Sequence, residues 1–168
     1  MPANKSLDDL FANLLKDMYY AEKQILKALP MMAKKADSDD LRRAFEHHLK
    51  ETEGQVVRLE RVFALCGLKP SGKTCPAIKG ILDEGEEDIK DAKDPDVLDA
   101  GMIADAQAVE HYEIARYETL IAWAGQLAWR MQYACWSRPW SRNTTPTGSL
   151  PIWPKVRSIA RLRKRLNI

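Results

Sequence analysis

The feature that most constrains the fold of this chain is a glutamate in the middle of an apolar helical ladder. The first helical segment places its apolar residues three and four positions apart, and Glu22 lies in that row: Phe11, Leu15, Met18, Ile25 and Leu29. This spacing predicts one buried face of an α-helix. A buried carboxylate loses its hydration, which costs free energy unless it is hydrogen-bonded, paired or bound to a metal. The fold must therefore bring partners to Glu22.

Two further helical segments repeat this arrangement of acids within apolar ladders. In the second, His48, Glu51 and Gln55 fall in line with its apolar residues Leu41, Phe45, Leu59 and Val62. In the third, Gln107 and Glu110 occupy the inner ladder, Glu113 follows one turn later, and the apolar members are Ile103, Ile114, Tyr117 and Ile121. Three helices thus direct carboxylates at one interior, and two of them offer a second ligand three positions on.

Capping and breaking residues predict where these helices begin and end. Ser6 is a suitable N-cap, Gly67 a suitable C-terminal residue, and Pro95 fits a first helical turn. We predict helices over residues 6–36, 40–66, 76–92 and 95–125, and no β-pattern occurs in residues 1–127. The fold class is therefore all-α, and three long helices need a fourth to cover their open side.

The chemistry of the interior residues favours a metal site. Iron is well served by carboxylate and imidazole ligands, and two ions need several carboxylates to balance their charge. Ferritin-like sites take single glutamates from two helices and a Glu/His pair at i, i+3 from each of the other two. Taken singly, Glu113 also fits a solvated partner of Arg116, and His48 a hydrogen-bonded core histidine. Convergence of three helices favours metal binding.

Several short sequences carry a family resemblance. AEKQ at residues 21–24, HLKET at 48–52 and VEHYEIARY at 109–117 resemble the YciE/YciF ferroxidase-like family of bacterial stress proteins. The resemblance covers residues 6–127 and implies a ferritin-like four-helix bundle with a short extra helix between the second and third long ones. It also implies a homodimer and a site for two iron ions, on the matching positions Glu22, His48, Glu51, Glu110 and Glu113. Lys50 departs from the family pattern, since some relatives have glutamate there.

The last forty or so residues have a different composition. Residues 128–168 contain nine Lys or Arg and no Asp or Glu, whereas residues 1–127 hold 17 basic and 24 acidic residues. Four of the five tryptophans and four prolines also lie in this tail. The prolines forbid a continuous fourth helix. We therefore expect a ferritin-like domain at 1–127, an irregular tail in place of the fourth long helix, and an incomplete iron site.

Three functions are compatible with these features. The first is a di-iron stress protein that oxidises Fe(II) or handles peroxide or oxygen, although loss of the fourth helix puts enzymatic activity in doubt. The second is a metal-free helical stress protein that acts by self-association. The third is contact with nucleic acid or membrane through the basic tail, which we rank last.

The first residues lack a secretion signal and no apolar run is long enough to span a membrane, so we expect a cytoplasmic protein.

The tail also has the pattern expected of a shifted reading frame. Residues 135–142 can be encoded as TGC TGG AGC AGA CCC TGG AGC AGR, which two nucleotides further on gives Leu-Glu-Gln-Thr-Leu-Glu-Gln. Residues 152–162 can likewise conceal Leu-Ala-Glu-Ser-Glu-Val-Asn-Arg-Lys-Ala. Both resemble the family's fourth helix. Sequencing the gene around codon 127 tests this prediction, which fails if the shifted frame does not encode Glu-Gln after the leucine codon that overlaps Cys135 and Trp136.

Overall fold

The computed structural model describes residues 6–127, which form four helices. Their observed ranges are α1 Leu7–Lys35, α2 Asp39–Leu65, α3 Pro76–Asp91 and α4 Pro95–Gln126. The predicted all-helical fold, with a short helix between the second and third long ones, is confirmed. Each observed helix end lies within one residue of the position predicted from caps. The predicted irregular tail and shifted frame concern residues 128–168, outside the described residues.

Helices α1 and α2 form a hairpin whose ends are set by local capping. The Ser6 side chain accepts a hydrogen bond from the Asp9 backbone N–H at 3.1 Å, which satisfies one of the free donors of the first turn. Helix α1 continues through Pro30 to Lys35, and three residues separate it from α2. So short a connection makes the two helices antiparallel neighbours.

The connection from α2 to α3 crosses back over α1. Gly67 takes the left-handed conformation (φ 67°) that ends many helices, and the Leu68 N–H donates to the Phe63 carbonyl at 2.9 Å. The chain then passes close to α1, where a Cβ added to Gly72 would lie 3.2 Å from the Cβ of Tyr20. The Lys73 N–H donates to the Lys16 carbonyl at 3.2 Å. These contacts place the start of α3 against α1.

Asp99 on α4 ties the helices together at the α1–α2 turn. Its side chain is fully buried and accepts hydrogen bonds from the backbone N–H groups of Asp37 and Ser38, both at 2.9 Å. These donors lie at the start of α2, where backbone N–H groups lack partners within the helix. Asp99 therefore caps α2 from a neighbouring helix and fixes how α4 packs against the hairpin.

The core consists of two apolar clusters with buried polar residues between them. One holds Phe11, Leu15, Met18, Leu59, Phe63, Tyr117 and Leu120; the other holds Ile25, Leu29, Leu41, Phe45, Ile78, Met102 and Val109. Along α1 the boundary falls between Met18 and Ala21, and Glu22 lies directly after it. The polar residues that interrupt the predicted apolar ladders therefore form one layer, which crosses the helical domain between the two apolar clusters.

The inner face of α4 is rotated from the predicted one. Gln107, predicted to lie on the inner ladder, is exposed, and Ile114 and Ile121 are only half-buried. Ile103 and Tyr117 are buried as predicted, and the other buried positions include Met102, Ala106, Val109, Glu113 and Leu120. The error arose because apolar residues lie on every side of α4, so its periodicity does not select one face. No helix of residues 6–127 is both long and apolar enough to cross a lipid bilayer.

Replacing Asp99 tests its bracing role. Asp99→Ala leaves the backbone N–H groups of Asp37 and Ser38 without their acceptor, and we expect the free energy of unfolding to fall by about 2–4 kcal/mol. Asp91→Ala, at an exposed position on α3, is the control and should change it by less than about 0.5 kcal/mol. Urea denaturation followed by circular dichroism measures both, and equal effects of the two substitutions would contradict the prediction.

Candidate metal centre

Four of the five predicted ligands meet in the polar layer between the two apolar clusters. Glu22 and Glu113 are 0% and 1% exposed, and His48 is 8% exposed. Glu110 is also largely buried, with 17% of its side chain accessible. These residues come from α1, α2 and α4, so three helices contribute to one site. The sequence prediction that their carboxylates converge therefore agrees with the geometry.

His48, Glu110 and Glu113 form the tightest group. One ligand atom from each lies within 4.8 Å of the others, a spacing that a single metal ion can bridge. Nδ1 of His48 is 3.4 Å from Oε1 of Glu110, and its Nε2 is 3.9 Å from Oε2 of Glu113. Burial lowers the pKa of His48 to about 4, so its ring is neutral at pH 7. A neutral imidazole can use a lone pair to bind a metal.

Glu22 reaches this group through Glu113 and is held from the other side by Tyr117. The Tyr117 hydroxyl, which is buried, donates a hydrogen bond to Oε1 of Glu22. The carboxyl groups of Glu22 and Glu113 lie close enough for each to shift the pKa of the other. The Arg58 guanidinium, on α2, also stabilises the negative charge of Glu22. Tyr117 and Arg58 thus hold Glu22 at the edge of the site.

Glu51 differs from the other predicted ligands because it lies at the exposed side of the site. Its side chain is 39% accessible, and its Oε2 is 3.8 Å from Nδ1 of His47. Its charge nevertheless raises the pKa values of Glu110 and Glu113, so it lies near them. Glu51 and Glu110 therefore border the side of the site that residues 6–127 leave most open.

Burial dominates the proton affinities of the acids. Loss of hydration raises the pKa of Glu22 to about 7, against the opposing effects of Tyr117, Glu113 and Arg58. Burial and the charges of Glu51 and Glu22 raise the pKa of Glu110 to about 7. Burial, with the nearby carboxylates, raises the pKa of Glu113 well above its usual value. Without a cation, this layer therefore holds protons near neutral pH.

Several buried polar atoms here have no hydrogen-bond partner within residues 6–127. They are Oε2 of Glu22, Oε1 of Glu113, Nδ1 of His48, Oγ1 of Thr52 and Oε1 of Gln55. Buried polar atoms are nearly always hydrogen-bonded, and exceptions often mark a missing ion or water. Carboxylate oxygens and an imidazole nitrogen are also the donor set that suits iron. The residues therefore fit a divalent metal ion.

Sequence reasoning missed part of this layer and left one member open. The alternative that Glu113 is a solvated partner of Arg116 is wrong, because the Glu113 side chain is buried. Tyr117 was predicted only as a core residue, although a hydroxyl two turns from Glu110 on the inner face was a signal for a hydrogen-bond partner. Thr52, one turn after His48, is fully buried and was not singled out.

Comparisons with known proteins agree with this architecture. The profile of DUF892, a domain of unknown function, matches residues 6–132. Protein YciF of Escherichia coli K12 is 42% identical over 127 residues, which are 75% of this chain and 76% of YciF. The crystal structure of the E. coli stress protein YciF matches with a TM-score of 0.75 and 40% identity, over 80% of this chain and 85% of that one. The structure of YcfI from Rhodopseudomonas palustris matches with a TM-score of 0.79 and 46% identity, over 83% of this chain and 89% of the YcfI chain.

The raised pKa values make the stability of the metal-free protein depend on pH. In the unfolded chain the buried glutamates ionise near 4.5, whereas in the folded chain Glu22 and Glu110 keep their protons to about 7, and Glu113 is shifted in the same direction. The folded state then binds more protons, so the free energy of unfolding falls as pH rises from about 4.5 to about 7. His48, with a pKa lowered to about 4, opposes this trend. The three glutamates outweigh this one histidine, so the free energy of unfolding still falls as pH rises.

Urea denaturation of chelator-treated protein between pH 5 and pH 7 measures this effect. Residues 128–168 contain no Asp, Glu or His, so side chains that titrate in this range lie elsewhere in the chain. Glu22→Gln keeps an acceptor for the Tyr117 hydroxyl but cannot ionise, and it should weaken the pH dependence. A metal-free protein that is more stable at pH 7 than at pH 5 would contradict the prediction.

Proposed function

This chain belongs to the DUF892 family, and we propose that it is a ferritin-like stress protein that binds iron in its polar layer. The observation that supports this proposal most strongly is the group formed by His48, Glu110 and Glu113, whose ligand atoms lie within 4.8 Å of one another. Two of these three side chains are buried among apolar clusters that would otherwise exclude charge. A bound cation would offset that cost.

The number of carboxylates bears on how many ions the site holds. Glu22, Glu51, Glu110 and Glu113 together balance the charge of two divalent ions. Yet Glu51 is partly exposed, and Glu22 already accepts a hydrogen bond from Tyr117. We therefore propose one tighter position at His48, Glu110 and Glu113 and a second, weaker one that draws on Glu22 and Glu51.

The chemistry we propose is oxidation of Fe(II) or the handling of peroxide or oxygen. Bound iron would supply the electron in such a reaction. The chain's own residues would position and tune it: the acids attract the cation, and the buried apolar clusters limit access of water. Glu51 and Glu110, on the more exposed side, mark the direction from which an ion or small oxidant would arrive. The Tyr117 hydroxyl would fix the orientation of Glu22.

A second candidate is a metal-free stress protein that acts by self-association. It is supported by the hydrogen bond from the Tyr117 hydroxyl to Glu22, which satisfies part of the layer without a cation. Exposed apolar side chains such as Val57, Leu65 and Val97 offer surface for a second copy. From the family resemblance we further propose a homodimer, which light scattering would test. Elemental analysis of purified protein separates this candidate from the iron protein.

Calorimetric titration of the chelator-treated full chain with Fe(II) under nitrogen tests the metal site. We expect fewer than two ions per chain at high affinity. Glu113→Gln should weaken the tighter position by about 100-fold, because it removes a carboxylate charge while preserving the size of the side chain. His48→Ala should have an effect of similar size.

Glu53→Gln is the matched control for Glu113→Gln, since Glu53 lies on the same α2 helix as His48 but is exposed. It should leave the affinity unchanged. Equal weakening by Glu53→Gln, or no measurable Fe(II) binding by the folded protein, would reject the iron proposal in favour of the metal-free candidate. Two ions bound with equal high affinity would reject the proposal that one position binds iron more tightly than the other.

A further inference from the structure

A partly open pocket lies under α3, between α1 and α4. Its volume is about 230 Å³. The lining is mostly apolar and includes Ala28 and Met32 of α1, Ile81 and Ile89 of α3, and Val109 of α4. Helix α3 thus forms one wall of a pocket that it shares with the two long helices on which it packs.

Two acids are part of this lining: Glu86 of α3, which is 3.5 Å from Lys90, and Asp105 of α4. Oδ2 of Asp105 is buried and has no hydrogen-bond partner within residues 6–127. The carboxyl group lies directly against α3, because a Cβ added to Gly85 would be only 3.2 Å from Oδ2. A side chain at Gly85 would therefore crowd the Asp105 carboxyl group, which would have to shift by a few tenths of an ångström. Because buried acceptors are nearly always hydrogen-bonded, we expect a bound molecule to donate a hydrogen bond to Oδ2 of Asp105.

The charges around the cavity favour a cation as that donor. Helix α3 carries six acidic residues and two lysines. Burial, with the charges of Asp88 and Glu84, raises the pKa of Asp105 to about 6, which still leaves it mostly ionised at pH 7. Of the two lysines that line the cavity, Lys90 is 3.5 Å from Glu86, which offsets its charge. Lys35 is the remaining basic residue of the lining.

Water alone is a poor occupant of such a space. An ordered buried water needs two to four polar partners, and an apolar cavity of about 150 Å³ stays dry and binds benzene. A cavity of 230 Å³ has room for a ring of that size with a short arm. We propose that this cavity binds a small organic amine, whose apolar body packs against Ala28, Met32 and Val109 and whose ammonium group donates to Asp105.

Methyl NMR titration of the full-length, chelator-treated protein with 2-phenylethylamine tests the proposal. The signals of Ala28 and Val109 should shift and saturate. The neutral analogue 2-phenylethanol should bind about tenfold more weakly, because a charged donor to a carboxylate makes a stronger hydrogen bond. Phenylacetate, which carries the opposite charge, should not bind measurably. Since no metal is present, the result does not depend on the proposed iron chemistry.

Substitutions locate the interaction. Asp105→Asn should remove the preference for the amine over the alcohol, and Ala28→Leu should fill the cavity and abolish both. Gly85→Ala should weaken amine binding, because its methyl displaces the Asp105 carboxyl group. Gly80→Ala is its matched control on α3, where an added Cβ meets nothing within 4 Å, and it should bind like the unmodified chain. Circular dichroism verifies that each variant is folded.

Three outcomes would overturn the proposal. They are equal binding of the amine and the alcohol, tighter binding of phenylacetate through Lys35, and amine-induced shifts that do not saturate or that spare Ala28 and Val109. An undiminished amine preference in folded Asp105→Asn would overturn it as well, since it would place the ammonium group at another acid.

Discussion

The structure depends on how a buried layer of carboxylates is compensated. Glu22 and Glu113 lie between two apolar clusters, where an isolated ionised carboxylate would be costly. Their compensation comes from other helices: the Tyr117 hydroxyl on α4 donates a hydrogen bond to Glu22, and the Arg58 guanidinium on α2 stabilises its negative charge. Because each partner belongs to a different helix from the group it serves, the layer also fixes how α1, α2 and α4 meet.

In the proposed iron protein, the layer would exchange protons for a cation. Glu22 and Glu110 hold their protons to about pH 7, so near neutral pH a metal ion would compete with a small number of protons. The neutral His48 ring adds a nitrogen ligand without adding positive charge. A layer satisfied entirely by fixed hydrogen bonds would lack this capacity. The unpartnered oxygens of Glu22 and Glu113 are the groups that retain it.

Helix α4 serves two different interiors. One side carries Glu110, Glu113 and Tyr117 into the polar layer, and another carries Asp105 and Val109 to the cavity beneath α3. At its start, Asp99 caps α2 and sets the position of the whole helix. Successive residues Val109 and Glu110 belong to the cavity and the candidate metal centre respectively. These demands explain why apolar residues surround α4 instead of forming one stripe.

The sequence by itself determined the helices and most of the site, whereas the rotation and contacts of the helices were decided only by tertiary structure. Capping residues such as Ser6 and Gly67 act on neighbouring backbone groups, so helix ends can be predicted from the local sequence. Glu22 was identifiable because it interrupts a clear period on α1. On α4 no single apolar stripe exists, so Gln107 was wrongly placed inside and the burial of Glu113 was undecided. The Tyr117 bond to Glu22 spans 95 positions and depends on packing that no local pattern encodes.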